Sequence, residues 1–442
     1  MVKQRIGVGL IGLGTVGTGA AKILLQNAAL IRRRVGVPVE LVRIADLDVT
    51  TDRGLRLPSG MLTTDVRQVL DDPSIDIVLE LIGGYDTAKR LILEAMAKGK
   101  QVVTANKALL AVHGEEIFEA AARHGVDLGF EASVGGGIPV IRALTEGLAA
   151  NTVLSIYGII NGTSNYILSR MTREGQGFQE VLAEAQRAGY AEADPTFDVA
   201  GIDSAHKLSI MVSLAYGTPV NVKEVYTEGI TKITPLDIAY AKEFGYTIKL
   251  LGIAKFLGGE HDGEIEARVH PTMLPAASPV AQVDGVYNAI QLVGDAVQDI
   301  VLYGRGAGAM PTGSAVISDV IDIARNLLKG ATGRVPPASF QREQRRPLRL
   351  RPIEDIMTLY YLRFMVLDRP GVLSQISGVL GHHGISISSV LQKGRKEGQT
   401  VPVVIMTHTA AERAVQASLR EIDRMAFISE PTTLIRVEGQ DE

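Results

Sequence analysis

The chain contains no cysteine among its 442 residues. That excludes disulfides, thiolate metal sites and cysteine nucleophiles, and it suits a reducing cytosol, so a cytoplasmic protein is expected. No run of about 18 uninterrupted apolar residues occurs, so no membrane span is expected. A charge of one sign is missing too, since 45 Lys and Arg against 49 Asp and Glu leave only −4. So small a net charge argues against nucleic acid or an anionic membrane surface as partner. Internal repeats and low-complexity tracts are absent. The start, MVKQRIGVGLIGLGTVG, has the basic-then-apolar order of a signal peptide. Its glycines and lack of a clear cleavage site instead read as a buried strand. The remaining profile, 46% apolar and 21% charged residues, is that of a globular protein with large cores, and the length suggests about three domains.

Short apolar runs alternate with helical patterns over the first 130 residues. Strands are predicted at Ile6–Ile11, Val39–Ala45, Ile75–Leu81, Gln101–Thr104 and Val126–Phe130. Helices are predicted at Val16–Gln26, Thr87–Lys98 and Gly114–His124. This alternation implies a parallel sheet with helices on both faces. From about 135 to 305 the alternation is lost, with helices predicted at Phe178–Ala188 and Ser204–Ala215 and strands at Val153–Ile160 and Ile265–Pro271. A further helix is predicted at Ser314–Leu328. The basic, proline-bearing stretch Lys329–Pro352 reads as a linker. Beyond it, strands at Tyr360–Leu367 and Val401–Thr407 and a helix at Val372–His382 mark a small separate α/β module.

Gly12-Leu-Gly14-Thr15-Val16-Gly17 follows an apolar strand and opens a helix, the context in which G-x-G-x-x-G binds a dinucleotide pyrophosphate at a helix N-terminus. Asp46 or Asp48, past the second strand, can accept from a ribose 2′-OH. Asp46 lies further from Gly17 than the usual spacing of about 20 residues. Arg43 and Arg53 are near enough in sequence to meet a 2′-phosphate, so NAD and NADP are not separable, whereas Arg32-Arg33-Arg34 reads as a solvated face. Lys107, after the fourth strand, sits where open parallel sheets bind ligands. The densest chemistry lies in GYAEADPTFDVAGIDSAHK, residues 189–207. It holds Glu192, Asp194, Asp198 and Asp203 with a single lysine, Lys207, four residues after Asp203 and on the same helix face. Such a cluster can hold an amine and protonate an oxygen. The plainer account is an acidic surface loop with one i,i+4 salt bridge.

The chain resembles homoserine dehydrogenase of the long form with a C-terminal ACT domain, over nearly its whole length. The resemblance is carried by GLGTVG at 12–17, VTANKALL at 103–110, FEASVGGGIPVI at 130–141, NGTSNYIL at 161–168, the 189–207 window and GRGAGAMPT at 304–312. Ser164 departs from the family's frequent Thr but keeps the hydroxyl. The resemblance implies an α/β protein in three parts. A Rossmann-type NAD(P)-binding domain at 1–134 is completed by about 305–330, and an α+β catalytic and dimerisation domain spans 135–304. After a linker at 331–354, an ACT domain of ferredoxin-like fold occupies 355–442. With the nucleotide motif starting at Gly12, no fused aspartate kinase is expected ahead of it.

The implied reaction interconverts L-aspartate 4-semialdehyde and L-homoserine with NADH or NADPH, within threonine, methionine and isoleucine biosynthesis. Lys207 matches the family's proton donor, and Glu192 and Asp203 match the acids that hold the substrate and orient that lysine. Gly189 and Asp198 stand beside them, and Lys107 matches a second lysine at the cofactor–substrate junction. Gly12, Gly14, Thr15, Val16, Gly17, Asp46, Lys107 and Gly306 are implied cofactor contacts. Glu131, Val134, Gly136 and Ile138 match a Na⁺ loop built of oxygens; without the resemblance, GGG there is simply a flexible turn. Asp368, Gly371, Val372 and Leu373 open the ACT domain, where threonine is the expected effector. A homodimer or homotetramer is implied by the family. The rival reading is a non-catalytic sensor of nucleotide and amino acid, or a tail that only pairs subunits.

Overall fold

The apolar runs near the N-terminus become a six-stranded parallel sheet. Its order is Leu62–Thr63, Val39–Ala45, Ile6–Ile11, Ile77–Glu80, Gln101–Thr104 and Leu128–Gly129. The computed structural model describes residues 3–258, 263–393 and 399–439. They divide into two compact units, one of Met1–Ile156, His206–Glu224 and Tyr287–Leu348, the other of Tyr157–Ala205, Val225–Val286 and Arg349–Glu442. In the first unit, strand Ile6–Ile11 is buried at every position, as expected of a central parallel strand covered on both faces. Helices Thr15–Gln26 and Ala309–Lys329 pack against one another; a Cβ on Gly19 would fall 1.9 Å from the Ala309 carbonyl oxygen. The second of these brings Val316, Val320, Ile323 and Ala324 into the core under the parallel sheet.

Helix Ala309–Lys329 starts earlier than the predicted Ser314. Pro311 and Gly313 discourage a helix in sequence, yet proline in the first turn forfeits only an N–H that has no intrahelical partner there. Helix Lys107–His124 likewise starts before the predicted Gly114 and bends at His113. Its start is fixed by Asn106, whose Oδ1 accepts from Leu109 N at 3.1 Å.

In the second unit, strands Tyr246–Leu257 and Glu264–Pro275 form a long antiparallel pair. The latter runs past the predicted end at Pro271, because that residue lacks an N–H but still fits the ladder opposite Leu250. Strands Met357–Leu367, Ile387–Gln392, Thr400–Thr407 and Ile428–Val437 with helices Val372–His382 and Glu412–Ile422 complete a βαββαβ module. Its antiparallel sheet runs in the order last, first, third, second. Tyr360, Phe364, Ile376, Val403 and Val415 fill its core.

Candidate functional site

The glycine-rich turn of the first unit lines a cavity of about 420 Å³ together with Ala45, Asp46, Leu81 and Arg90. Gly12 has φ +96°, and a Cβ on Gly17 would lie 2.0 Å from the Gly12 carbonyl oxygen, so neither position accepts a larger side chain without rearrangement. Helix Thr15–Gln26 directs its free N–H groups toward this turn. Asp46, just after strand Val39–Ala45, accepts from Leu13 N in the glycine turn and from Asp48 N at 2.8 Å. Arg53 lies 3.6 Å from Asp46 and 3.2 Å from Asp48. The Asp48 carboxyl stays well below the usual range, chiefly through hydrogen bonds from Thr51 and Thr50. Arg43 turns elsewhere, to the Gly60 carbonyl, and Arg32, Arg33 and Arg34 are exposed on the last turn of a helix.

Lys107 opens helix Lys107–His124 at the carboxyl end of strand Gln101–Thr104. A buried relay fixes this corner. Thr104 Oγ1 donates to Glu80 Oε2 at 2.7 Å, Asn106 N donates to Thr104 Oγ1 at 3.0 Å, and Asn106 Nδ2 donates to the Gly84 carbonyl at 2.7 Å. Glu80 is buried, which pushes its carboxyl above the usual range against the hydrogen bonds it receives. Sequence reasoning passed over Glu80, whose only signal was an acid ending an otherwise apolar strand.

The two glycine runs of the first unit meet. A Cβ on Gly136 would lie 2.4 Å from the Gly306 carbonyl oxygen, and Gly137 N donates to the Arg305 carbonyl at 3.1 Å. Val134 and Ile138 are buried beside them. The Glu131 carboxylate accepts from Ile141 N and Arg142 N, each at 2.9 Å, and Glu131 N donates to Asp319 Oδ2 at 2.9 Å. Burial raises the Glu131 carboxyl, and burial together with the nearby Glu131 charge pushes Asp319 up to about 8. The Glu131 carboxylate is thus held by backbone N–H groups, and among the described residues no cluster of three or more His, Cys, Asp or Glu could hold a metal ion. Asp319 is near Glu131 in space and far from it in sequence.

The acid window splits into an outer and an inner part, its four acids counted with the second unit and Lys207 with the first. Gly189, Glu192 and Asp194 are exposed on the loop, and Gln186 Nε2 donates to the Glu192 carbonyl at 3.1 Å. Asp198 lies in the short helix Thr196–Val199, and Asp203 in the first turn of helix Ile202–Tyr216 is 3% exposed. Lys207, one turn further along, is 9% exposed. Asn161 reaches Asp198 and Asp203 with its amide nitrogen, at 2.7 and 2.8 Å. Ser164 Oγ donates to the Asp198 carbonyl at 3.0 Å, so the hydroxyl kept at that position is in use.

Asp368, Gly371, Val372 and Leu373 line a cavity of about 390 Å³ with Gln392 and Val403. Asp368 N donates to the Gln399 carbonyl at 2.9 Å, and Gly371, with φ +89°, caps helix Val372–His382.

Family models match the chain in three consecutive pieces. These are "Homoserine dehydrogenase, NAD binding domain" at residues 12–131, "Homoserine dehydrogenase" at 139–321 and "ACT domain" at 360–426. A homoserine dehydrogenase of Neisseria gonorrhoeae is 46% identical over 99% of both chains, and one of Bacillus subtilis 40% identical over 99% of both. The crystal structure of a homoserine dehydrogenase from Thiobacillus denitrificans superposes with a TM-score of 0.92 at 47% identity, covering 98% of both chains. A hyperthermophilic archaeal homoserine dehydrogenase in complex with NADPH matches 72% of this chain and 97% of its own, with a TM-score of 0.61 at 25% identity. The chain therefore belongs to the homoserine dehydrogenase family, oxidoreductases joining a nicotinamide-nucleotide-binding Rossmann domain and a catalytic domain to a C-terminal ACT domain.

Proposed function

We propose that the chain reduces L-aspartate 4-semialdehyde reversibly to L-homoserine, in threonine, methionine and isoleucine biosynthesis, under feedback by threonine. The observation that carries this reading is the placing of a buried acid and a buried lysine, Asp203 and Lys207, four residues apart on one helix that follows the loop of Gly189 and Glu192.

The cofactor, NADP or NAD, would supply the hydride in its reduced form, NADPH or NADH. Gly12, Gly14, Thr15, Val16 and Gly17 cradle its pyrophosphate, with Gly306 and Lys107 as further contacts. Asp46 can accept from a ribose hydroxyl, while Arg53 can meet a 2′-phosphate. Reduction of the aldehyde leaves an alkoxide, which Lys207 protonates, and before that its ammonium stabilises the charge growing on the oxygen. Glu192 and Asp203 hold the substrate's polar groups, Asp203 also orients Lys207, and Asp198 and Gly189 complete the substrate loop. Lys107 serves both substrate and cofactor. Glu131, Val134, Gly136 and Ile138 would hold a structural Na⁺. Threonine would bind at Asp368, Gly371, Val372 and Leu373, acting through unequal affinity for two states. The working form is a cytoplasmic homodimer or homotetramer. Among the described residues no helix is long and apolar enough to cross a membrane.

The test is nicotinamide oxidation on adding L-aspartate 4-semialdehyde, with NADPH and NADH separately, with and without threonine. Turnover with either cofactor supports the assignment and ranks the two. No turnover, in protein that binds nucleotide, would point to a sensor. Lys207→Ala is expected to lower kcat by about 10²–10⁴-fold with cofactor affinity retained; unchanged kcat would remove Lys207 from the chemistry.

A further inference from the structure

Asn161 is 5% exposed, and every hydrogen-bonding atom of its side chain is engaged. Oδ1 accepts from Ser164 N at 2.8 Å and caps helix Gly162–Glu174. The two hydrogens on Nδ2 go to different carboxylates, one to Asp198 Oδ1 at 2.7 Å and one to Asp203 Oδ2 at 2.8 Å. We infer that Asn161 is the positioning residue of the substrate-binding acids: it sets the spacing of Asp198 and Asp203, and through it their grip on the α-ammonium group of the amino-acid substrate. This inference rests on the assignment of those acids to the substrate.

An amide nitrogen can only donate. Each carboxylate oxygen facing it must therefore accept, and a proton on that oxygen would point at another hydrogen. The fork also places partial positive charge between the two acids. Because the amide is planar, its two hydrogens diverge at a fixed angle and hold the two oxygens at one separation.

The backbone makes the arrangement stiff. Asn161 stands at the start of helix Gly162–Glu174, Asp198 lies in Thr196–Val199, and Asp203 lies in the first turn of Ile202–Tyr216. A single amide therefore ties three helices together, and the bond from Ser164 Oγ to the Asp198 carbonyl adds a second tie between two of them. Two ionised oxygens at fixed spacing suit an ammonium group and disfavour a neutral or N-acylated analogue.

The experiment uses the full chain, assayed for homoserine oxidation across pH, with cofactor affinity followed by NADPH fluorescence and folding by thermal unfolding. Turnover by the native protein tests the assignment of function; the variants test Asn161 alone. Asn161→Asp keeps the capping oxygen and the shape, removes both donors and adds a third carboxyl. The acidic limb of its kcat/KM profile is expected to move up by about one pH unit or more, with KM for homoserine raised roughly tenfold and NADPH affinity within about twofold of native. Asn161→Ser retains a capping hydroxyl and loses only the fork; its KM is expected to rise with little change in thermal stability. Should the aspartate variant fail to fold, the serine variant decides. A folded variant with native KM and a native pH profile would overturn the inference.

Discussion

Strand Ile6–Ile11 of the first unit and strand Glu264–Pro275 of the second are both covered on both faces, by opposite chemistry. The first is aliphatic and glycine throughout, and its neighbours Ile44 and Leu79 are almost wholly excluded from solvent. The second alternates. Ile265, Ala267, Val269 and Met273 face one way, while Glu266, Arg268, His270 and Thr272 face the other, all of them buried. Arg268 donates to Glu438 at 2.5 Å and to Glu266 at 3.3 Å, and Lys255 reaches Glu438 at 2.8 Å. Alongside, Arg436 holds Glu412 at 2.5 Å and Glu228 at 3.1 Å. Alternation of this kind ordinarily means one face in water. Here the polar face is covered instead by charged partners contributed by the ACT module and the segment around Tyr226, so period-two patterning reports a strand without reporting what lies over its polar side.

The contrast can be tested by substitution. Arg268→Ala should be the most damaging, costing about 3–5 kcal/mol, because Glu438 and Glu266 would keep their burial and lose their main cation. Urea unfolding with fluorescence detection measures it, and a loss below about 1 kcal/mol would show that the network relaxes into water. Leu10→Ala in the first unit should cost about 3 kcal/mol by leaving a cavity, and that cost should not vary with pH.

A third variant separates the two strands by pH. His270 accepts at Nε2 from Arg268 at 2.7 Å and sits 3.0 Å from the Pro271 carbonyl through Nδ1. Burial, then the charges of Arg436 and Arg268, hold its pKa well below the ordinary value. The folded chain therefore stays neutral at this position while the unfolded chain takes up a proton below about pH 6.5, so stability falls as pH drops from 7 to 5. His270→Gln should flatten that part of the stability–pH curve, and an unchanged slope would assign the acid sensitivity to other groups. The smallest effect is expected from Asn106→Ala, about 1 kcal/mol for a lost helix cap; a larger fall in kcat than in stability would show that Asn106 also steadies Lys107.

The same contrast explains which features could be read from the sequence. Strands Ile6–Ile11, Val39–Ala45 and Gln101–Thr104 have the ends predicted for them, because central parallel strands are short apolar runs closed by turn residues. The candidate site residues stood out where chemistry is dense in sequence, as in 12–17 and 189–207. The groups that steady them did not. Glu80 reaches Thr104, Asn161 reaches Asp198 and Asp203, and Glu131 reaches Asp319 across spans that no local pattern links. The helix starts at Lys107 and Ala309 precede the predicted ones because a cap and a first-turn proline act through geometry that composition does not reveal.

One flank of strand Glu264–Pro275 is paired along its whole length by Tyr246–Leu257. The other is closed piecemeal, by Arg349–Leu350 against Glu264 and Ile265, by Tyr226–Thr227 against Arg268 and Val269, and by Arg436 and Val437 against Thr272 and Met273. Cutting the chain before the ACT module would strip the last of these patches, expose an unpaired sheet edge and take Glu438 from Arg268. Such an edge templates strand addition from another molecule. Truncated protein would then be prone to self-association whether or not it had lost an effector site, so point changes lining the Asp368–Leu373 cavity are the cleaner way to ask what the module senses.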